Sequence, residues 1–64
     1  MSIRTYIQNN VTKRGINRIT LANRVVAVFG VPYKTASAGV SGCIRRGEIT
    51  CAFSPDGAIE YACK

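Results

Sequence analysis

The chain contains no histidine, and its only carboxylates are Glu48, Asp56 and Glu60. General acid–base chemistry therefore has few candidate groups, so we expect a binding module in preference to an enzyme, with no catalytic residue. The three cysteines, Cys43, Cys51 and Cys63, are an odd number with no CxxC pair. That excludes a disulfide framework and the usual zinc site, and no metal or cofactor is expected. The cysteines read instead as small, buried, reduced hydrophobes, which implies a reducing, cytoplasmic compartment. No apolar run is long enough for a signal peptide or a transmembrane helix. No basic amphipathic helix carries a bulky aromatic face, so no membrane partner is expected. Repeats, linkers and low-complexity stretches are absent as well. Sixty-four residues make one domain, residues 1–64, with a small core and no room for a second lobe.

Acidic residues are also missing from the whole of residues 1–47, which carry Arg4, Lys13, Arg14, Arg18, Arg24, Lys34, Arg45 and Arg46. The net charge of +6 is thus strongly polarised along the chain. Such a field draws polyanions and speeds their encounter, which makes nucleic acid the first candidate partner. The bland alternative is a cationic surface that only keeps a small protein soluble. Single-stranded and RNA partners are disfavoured because Phe29 and Phe53 read as buried and the tyrosines are scattered.

Three helices and a hairpin account for the chain. Ser2 suits the cap of a first helix carrying Ile3, Tyr6, Ile7 and Val11 along one side and running to about Arg14, where Gly15 offers a stop. Ile19 reads as a short extended link, and Thr20 as the cap of a second helix ending on Gly30. Leu21, Val25, Val28 and Phe29 form its apolar stripe, although VVAVF also suits a strand. The stretch PYKTASAGVSGCIRRGEI, residues 32–49, reads as a third helix with a glycine stop at Gly47. Ala36, Val40, Cys43, Ile44 and Gly47 recur at helical steps, while Lys34, Ser37, Ala38, Ser41 and Arg45 fall on the opposite face. Gly39 and Gly42 each cost about 1 kcal/mol relative to alanine, so something must compensate. Close helix packing suits Gly39, and the role of Gly42 is open.

The segment SPDG between ITCAF and AIEYAC is a turn. A three-residue loop of Pro55, Asp56 and Gly57 pairs Ser54 with Ala58, Phe53 with Ile59, Cys51 with Tyr61 and Ile49 with Cys63. It gathers one wholly apolar face to lie on the helices, and we adopt it over a two-residue loop that splits that set. Thr50, Ala52, Glu60 and Ala62 would occupy the other face.

This order, and several of its residues, resemble the winged helix-turn-helix family. In TASAGVSGCIRRGEI, Thr35, Ser37, Val40, Cys43, Gly47 and Ile49 stand where that family has its recognition helix and exit. LANRVVAVFGVP resembles the preceding helix and turn, Ile19 the short first strand, and ITCAFSPDGAIEYAC a compact wing. The resemblance spans the chain. It implies an α+β fold, three helices followed by a two-stranded β-hairpin wing, and a sequence-specific double-stranded DNA-binding protein, a small bacterial or phage transcriptional regulator. Helix 34–46 would read the major groove, with Lys34, Thr35, Ser37, Ala38 and Ser41 at bases or nearby phosphates and Arg45 and Arg46 at the backbone. Tyr33 offers a hydroxyl to phosphate or simply packs. Arg14, Arg18 and Arg24 are phosphate candidates or merely solvated. Asp56, at a wing tip where the family often has Arg or Lys, suits the turn and not the DNA. A single module buries only about 600–1,000 Å², so a homodimer through the first helix or hairpin edge is a natural supplement. Two rival functions share this fold: docking on a regulatory protein partner, and bending DNA as an excision or architectural factor.

Overall fold

The computed structural model describes all 64 residues as three helices and three strands: α1 (Ile3–Asn10), β1 (Ile16–Asn17), α2 (Arg18–Phe29), α3 (Tyr33–Arg45), β2 (Thr50–Phe53) and β3 (Glu60–Cys63). The fold is α+β, and its antiparallel sheet has the order β1-β3-β2.

Ser2 caps α1 through its hydroxyl, which accepts the Thr5 N–H at 3.1 Å. The helix stops at Asn10, short of the expected Arg14. The Asn10 side chain bonds back to the Tyr6 carbonyl at 2.8 Å, and Val11 turns extended to reach the core at 2% exposure. A β-branched residue gains more there than by prolonging a helix through Asn9 and Asn10. Gly15, at φ +92°, then swings the chain into β1. A Cβ at Gly15 would lie 2.9 Å from the Cys63 sulfur, so glycine is required there on two grounds.

The start of α2 also differs from expectation. Asn17, not Thr20, is the cap: its Oδ1 accepts the N–H groups of Ile19 at 2.9 Å and Thr20 at 3.4 Å. Ile19 therefore lies in the first helical turn, 61% exposed, and the short strand is Ile16–Asn17. VVAVF is helical and ends, as expected, on Gly30 at φ +67°. The buried stripe is Leu21, Ala22 and Val25, with Phe29 packed edge-on against Tyr6 at 5.5 Å between ring centroids. Val28, at the edge of that stripe in the last turn of the helix, stays 57% exposed.

The third helix matches its sequence reading closely. Ala36, Val40 and Cys43 are fully buried. Beyond the C-cap Arg46, Gly47 adopts φ +76° and donates to the Ile44 carbonyl, while Glu48 N–H reaches the Cys43 carbonyl, both at 3.0 Å. This pair of bonds is a Schellman stop, and it turns Ile49 into the core. A Cβ on Gly39 would come within 3.0 Å of Ile3 Cγ2 and 3.6 Å of Ile7 Cδ1. Its glycine is the price of seating α1 directly on α3.

The hairpin register corrects the sequence expectation by one residue. Thr50 pairs with Cys63, Cys51 with Ala62, Ala52 with Tyr61 and Phe53 with Glu60. None of the four expected pairs forms, and Ala58 joins Pro55, Asp56 and Gly57 in the loop. Side chains explain the shift. Ser54 Oγ accepts the Ile59 N–H at 3.1 Å, Asp56 Oδ1 accepts the Ala58 N–H at 3.0 Å, and the two side chains bond each other. The Ser54 N–H still bonds the Ile59 carbonyl at 2.8 Å, so the side chains replace only the return bond of that pair, and they widen the loop. Strand β3, flanked on both sides, takes the burial through Ala62, while all of edge strand β2 is exposed. Phe53 and Cys51, expected inside, are therefore outside, with Phe53 63% exposed. Of the cysteines only Cys43 is buried, and Cys63 is half-buried.

Candidate nucleic-acid interface

The free face of α3 is defined by what its other faces do. Ala36, Val40 and Cys43 point to the core, and Gly39 meets α1. Lys34, Thr35, Ala38 and Arg45 remain exposed, spaced along one side over three turns. Ser37 is half-buried, and Tyr33 is 45% exposed at the helix start.

Ser41 was expected on the free face but is already engaged. Its Oγ accepts a hydrogen bond from the Arg18 guanidinium, whose Nη1 also donates to both Glu60 oxygens at 3.1 and 3.0 Å. Three elements, α2, α3 and β3, meet at this one guanidinium. Arg18, expected at phosphate or in solvent, is half-buried instead.

A second cluster lies at the C-terminal end of α3. Glu48 Oε2 is shared by Arg4 and by Arg46 Nε, the latter at 3.3 Å. The Arg4 guanidinium foremost, joined by Arg46, lowers the Glu48 pKa to about 2, well below an ordinary carboxylate. The Arg46 guanidinium lies over Gly42, 3.3 Å from where its Cβ would be, and reaches the Cys43 sulfur at 3.7 Å. The absent side chain at Gly42 thus makes room for Arg46. Burial, above all, pushes the Cys43 thiol up, with Glu48 adding to it. Asp56 is held low by Ser54 and the Ala58 N–H, so it serves the turn.

With the three carboxylates so placed, Lys13, Arg14, Arg24, Lys34, Arg45 and Lys64 form no ion pair. Lys34 and Arg45 mark the two ends of the free face of α3, and Arg24 is exposed on α2. Lys13 and Arg14 sit in the turn after α1, and the Lys64 N–H bonds the Thr12 carbonyl at 3.0 Å, which brings a third cation to that turn. An open groove of about 300 Å³ lies between the starts of α2 and α3 and the hairpin loop. Ile19, Tyr33 and Ile59 form its apolar wall, with Arg18 and Glu60 as its polar part. No three His, Cys, Asp or Glu side chains converge to hold a metal, and no helix is long and apolar enough to cross a membrane.

The interactions of Arg18 and Glu48 are what reading the sequence misses. Arg18 and Glu60 are 42 positions apart, and only opposite charge hints that they meet. Comparison of the chain with protein-family models, curated proteins and solved structures finds no match.

Proposed function

We propose that this protein binds double-stranded DNA as a small winged helix-turn-helix regulator, with α3 as its recognition helix. The observation that carries this reading is the set of unpaired cations around a face of α3 that holds only short side chains between them. Lys34 and Arg45 bracket Thr35 and Ala38, so phosphates are met at the ends and base edges in the middle. The element order supports it too: a short strand before α2, a glycine-ended third helix, then a hairpin joined to that strand. Arg14 and Arg24 supply further phosphate contacts. Arg18, Arg46 and Ser41 are occupied within the protein and do not serve as primary DNA contacts.

Duplex affinity measured across a salt series tests this. Counterion release makes the logarithm of the binding constant fall linearly with the logarithm of salt. The exposed substitution Ala38→Glu should abolish binding with the fold intact. Absence of duplex binding at low salt, or a flat salt dependence, refutes the proposal. The groove walled by Ile19, Tyr33 and Ile59 favours one competing reading, a protein partner docking on the same end of the molecule. A purified partner that binds wild type but not Ile19→Asp, in a chain without duplex affinity, would establish that alternative.

A further inference from the structure

We propose that the Arg18, Glu60 and Ser41 cluster is a brace that sets the hairpin at a fixed angle to α3, and that its role in DNA binding is positional. This rests on the reading of α3 as a duplex-binding helix. The outer half of the hairpin has little else to hold it. Phe53 is 63% and Ile59 40% exposed, and the buried hairpin residues, Ile49 and Ala62, lie toward its opposite end. Apolar burial therefore holds the loop only weakly, because much of the Phe53 and Ile59 surface stays in water.

The brace can orient it. Glu60 is the first residue of β3 and lies directly opposite Phe53, at the last strand pair before the loop. Arg18 Nη1 donates to both of its oxygens, at 3.1 and 3.0 Å, a charge-assisted contact made by one arm of the guanidinium. The same guanidinium reaches Ser41 in the middle of α3. The Arg18 backbone is fixed as the first residue of α2 behind the Asn17 cap. One planar group thus locks helix, helix and hairpin together. Ser41 lies on α3 between Lys34 and Arg45, so the same group also holds the duplex-binding helix in place, and a helix set beforehand loses less entropy on binding.

Two substitutions separate bracing from direct contact. Glu60→Gln keeps the shape and removes the charge, and Arg18→Gln removes the guanidinium. Their affinities for a mixed-sequence duplex are measured across a salt series beside wild type, together with amide hydrogen exchange of the free proteins. We expect Glu60→Gln to weaken binding about three- to tenfold, corresponding to part of one charge-assisted hydrogen bond, with the salt slope unchanged. Exchange should quicken at residues 54–60 and stay as in wild type across α1 and α3. Arg18→Gln should also leave the slope unchanged.

Three results overturn the proposal. Tighter binding and a steeper slope in Glu60→Gln would mean that Glu60 competes with phosphate for Arg18. A slope reduced by about one in Arg18→Gln would mean that Arg18 itself meets a phosphate. Unaltered exchange in the hairpin would mean that the cluster braces nothing. If wild type binds no duplex, the DNA reading fails by itself, and hydrogen exchange still decides whether the cluster orients the hairpin.

Discussion

Gly39 and Gly42 sit one helical turn apart in α3, and alanine is expected to stabilise the protein at Gly42 but to leave it unchanged or destabilise it at Gly39. Both substitutions remove the glycine penalty inside a helix, a gain of about 1 kcal/mol. At Gly42 the new methyl meets Arg46 Nη1 at 3.3 Å, the far end of a flexible side chain that can shift at little cost. Most of the gain survives there, about 0.5–1 kcal/mol, which raises Tm by roughly 2–8 °C in a domain of this size. At Gly39 the methyl meets Ile3 Cγ2 at 3.0 Å and Ile7 Cδ1 at 3.6 Å. Ile7 is fully buried and Ser2 fixes the helix start, so α1 has to retreat as a unit. Overpacking of this kind costs about 1–3 kcal/mol, enough to cancel or outweigh the gain. Thermal melts followed by circular dichroism on the two single variants decide the matter. A Gly39→Ala protein stabilised as much as Gly42→Ala would refute the packing assigned to α1 and α3. The same Gly42→Ala protein, assayed for duplex binding, should keep wild-type affinity, because the space left by the glycine is taken by Arg46.

Leu21→Ala should cost about 2–5 kcal/mol, because Leu21 is fully buried. Against a total of roughly 3–10 kcal/mol for a chain of this length, a urea titration should find the variant largely unfolded or close to it. Glu48 binds its proton less tightly in the folded protein than in the unfolded chain. Its contribution to stability is therefore full above the ordinary carboxylate pKa of about 4.3 and is lost as pH falls toward about 2. Tm measured against pH should drop less steeply across that interval in Glu48→Gln than in wild type. Lys34→Ala and Arg45→Ala should each reduce the salt slope of duplex binding by about one, with unchanged Tm. An alkylating reagent should modify Cys51 in the folded protein and reach Cys43 only on unfolding, a difference that mass spectrometry reads directly.

The helices were largely legible because their signals are local. Ser2, Gly30 and Gly47 mark ends whose geometry depends on backbone conformation within one turn, and the core positions of α3 repeat at helical spacing. The start of α2 was not legible in the same way. Thr20 is the cap expected from sequence, yet Asn17 is the cap in the fold, because the pairing of Ile16 and Asn17 with Ala62 and Tyr61, far along the chain, ends the strand at Asn17 and starts the helix there. The hairpin register departs from its sequence expectation for a related reason. A register that collects every apolar residue on one face assumes that the face will be covered, and β2 lies at the edge of the sheet with its side chains exposed.

The candidate site divides in the same way. Composition alone established a cationic protein with its acids confined to the last third, and periodicity alone established Lys34, Ala38 and Arg45 as one face of a helix. Which cations remain unpaired was decided only by tertiary structure. Glu60 takes Arg18, and Glu48 takes Arg4 and Arg46, while Lys34 and Arg45 are left free. The physical reason is range. A helical stripe or a glycine stop depends on neighbours a few residues away, whereas an ion pair depends on which distant segments the fold brings within hydrogen-bond distance.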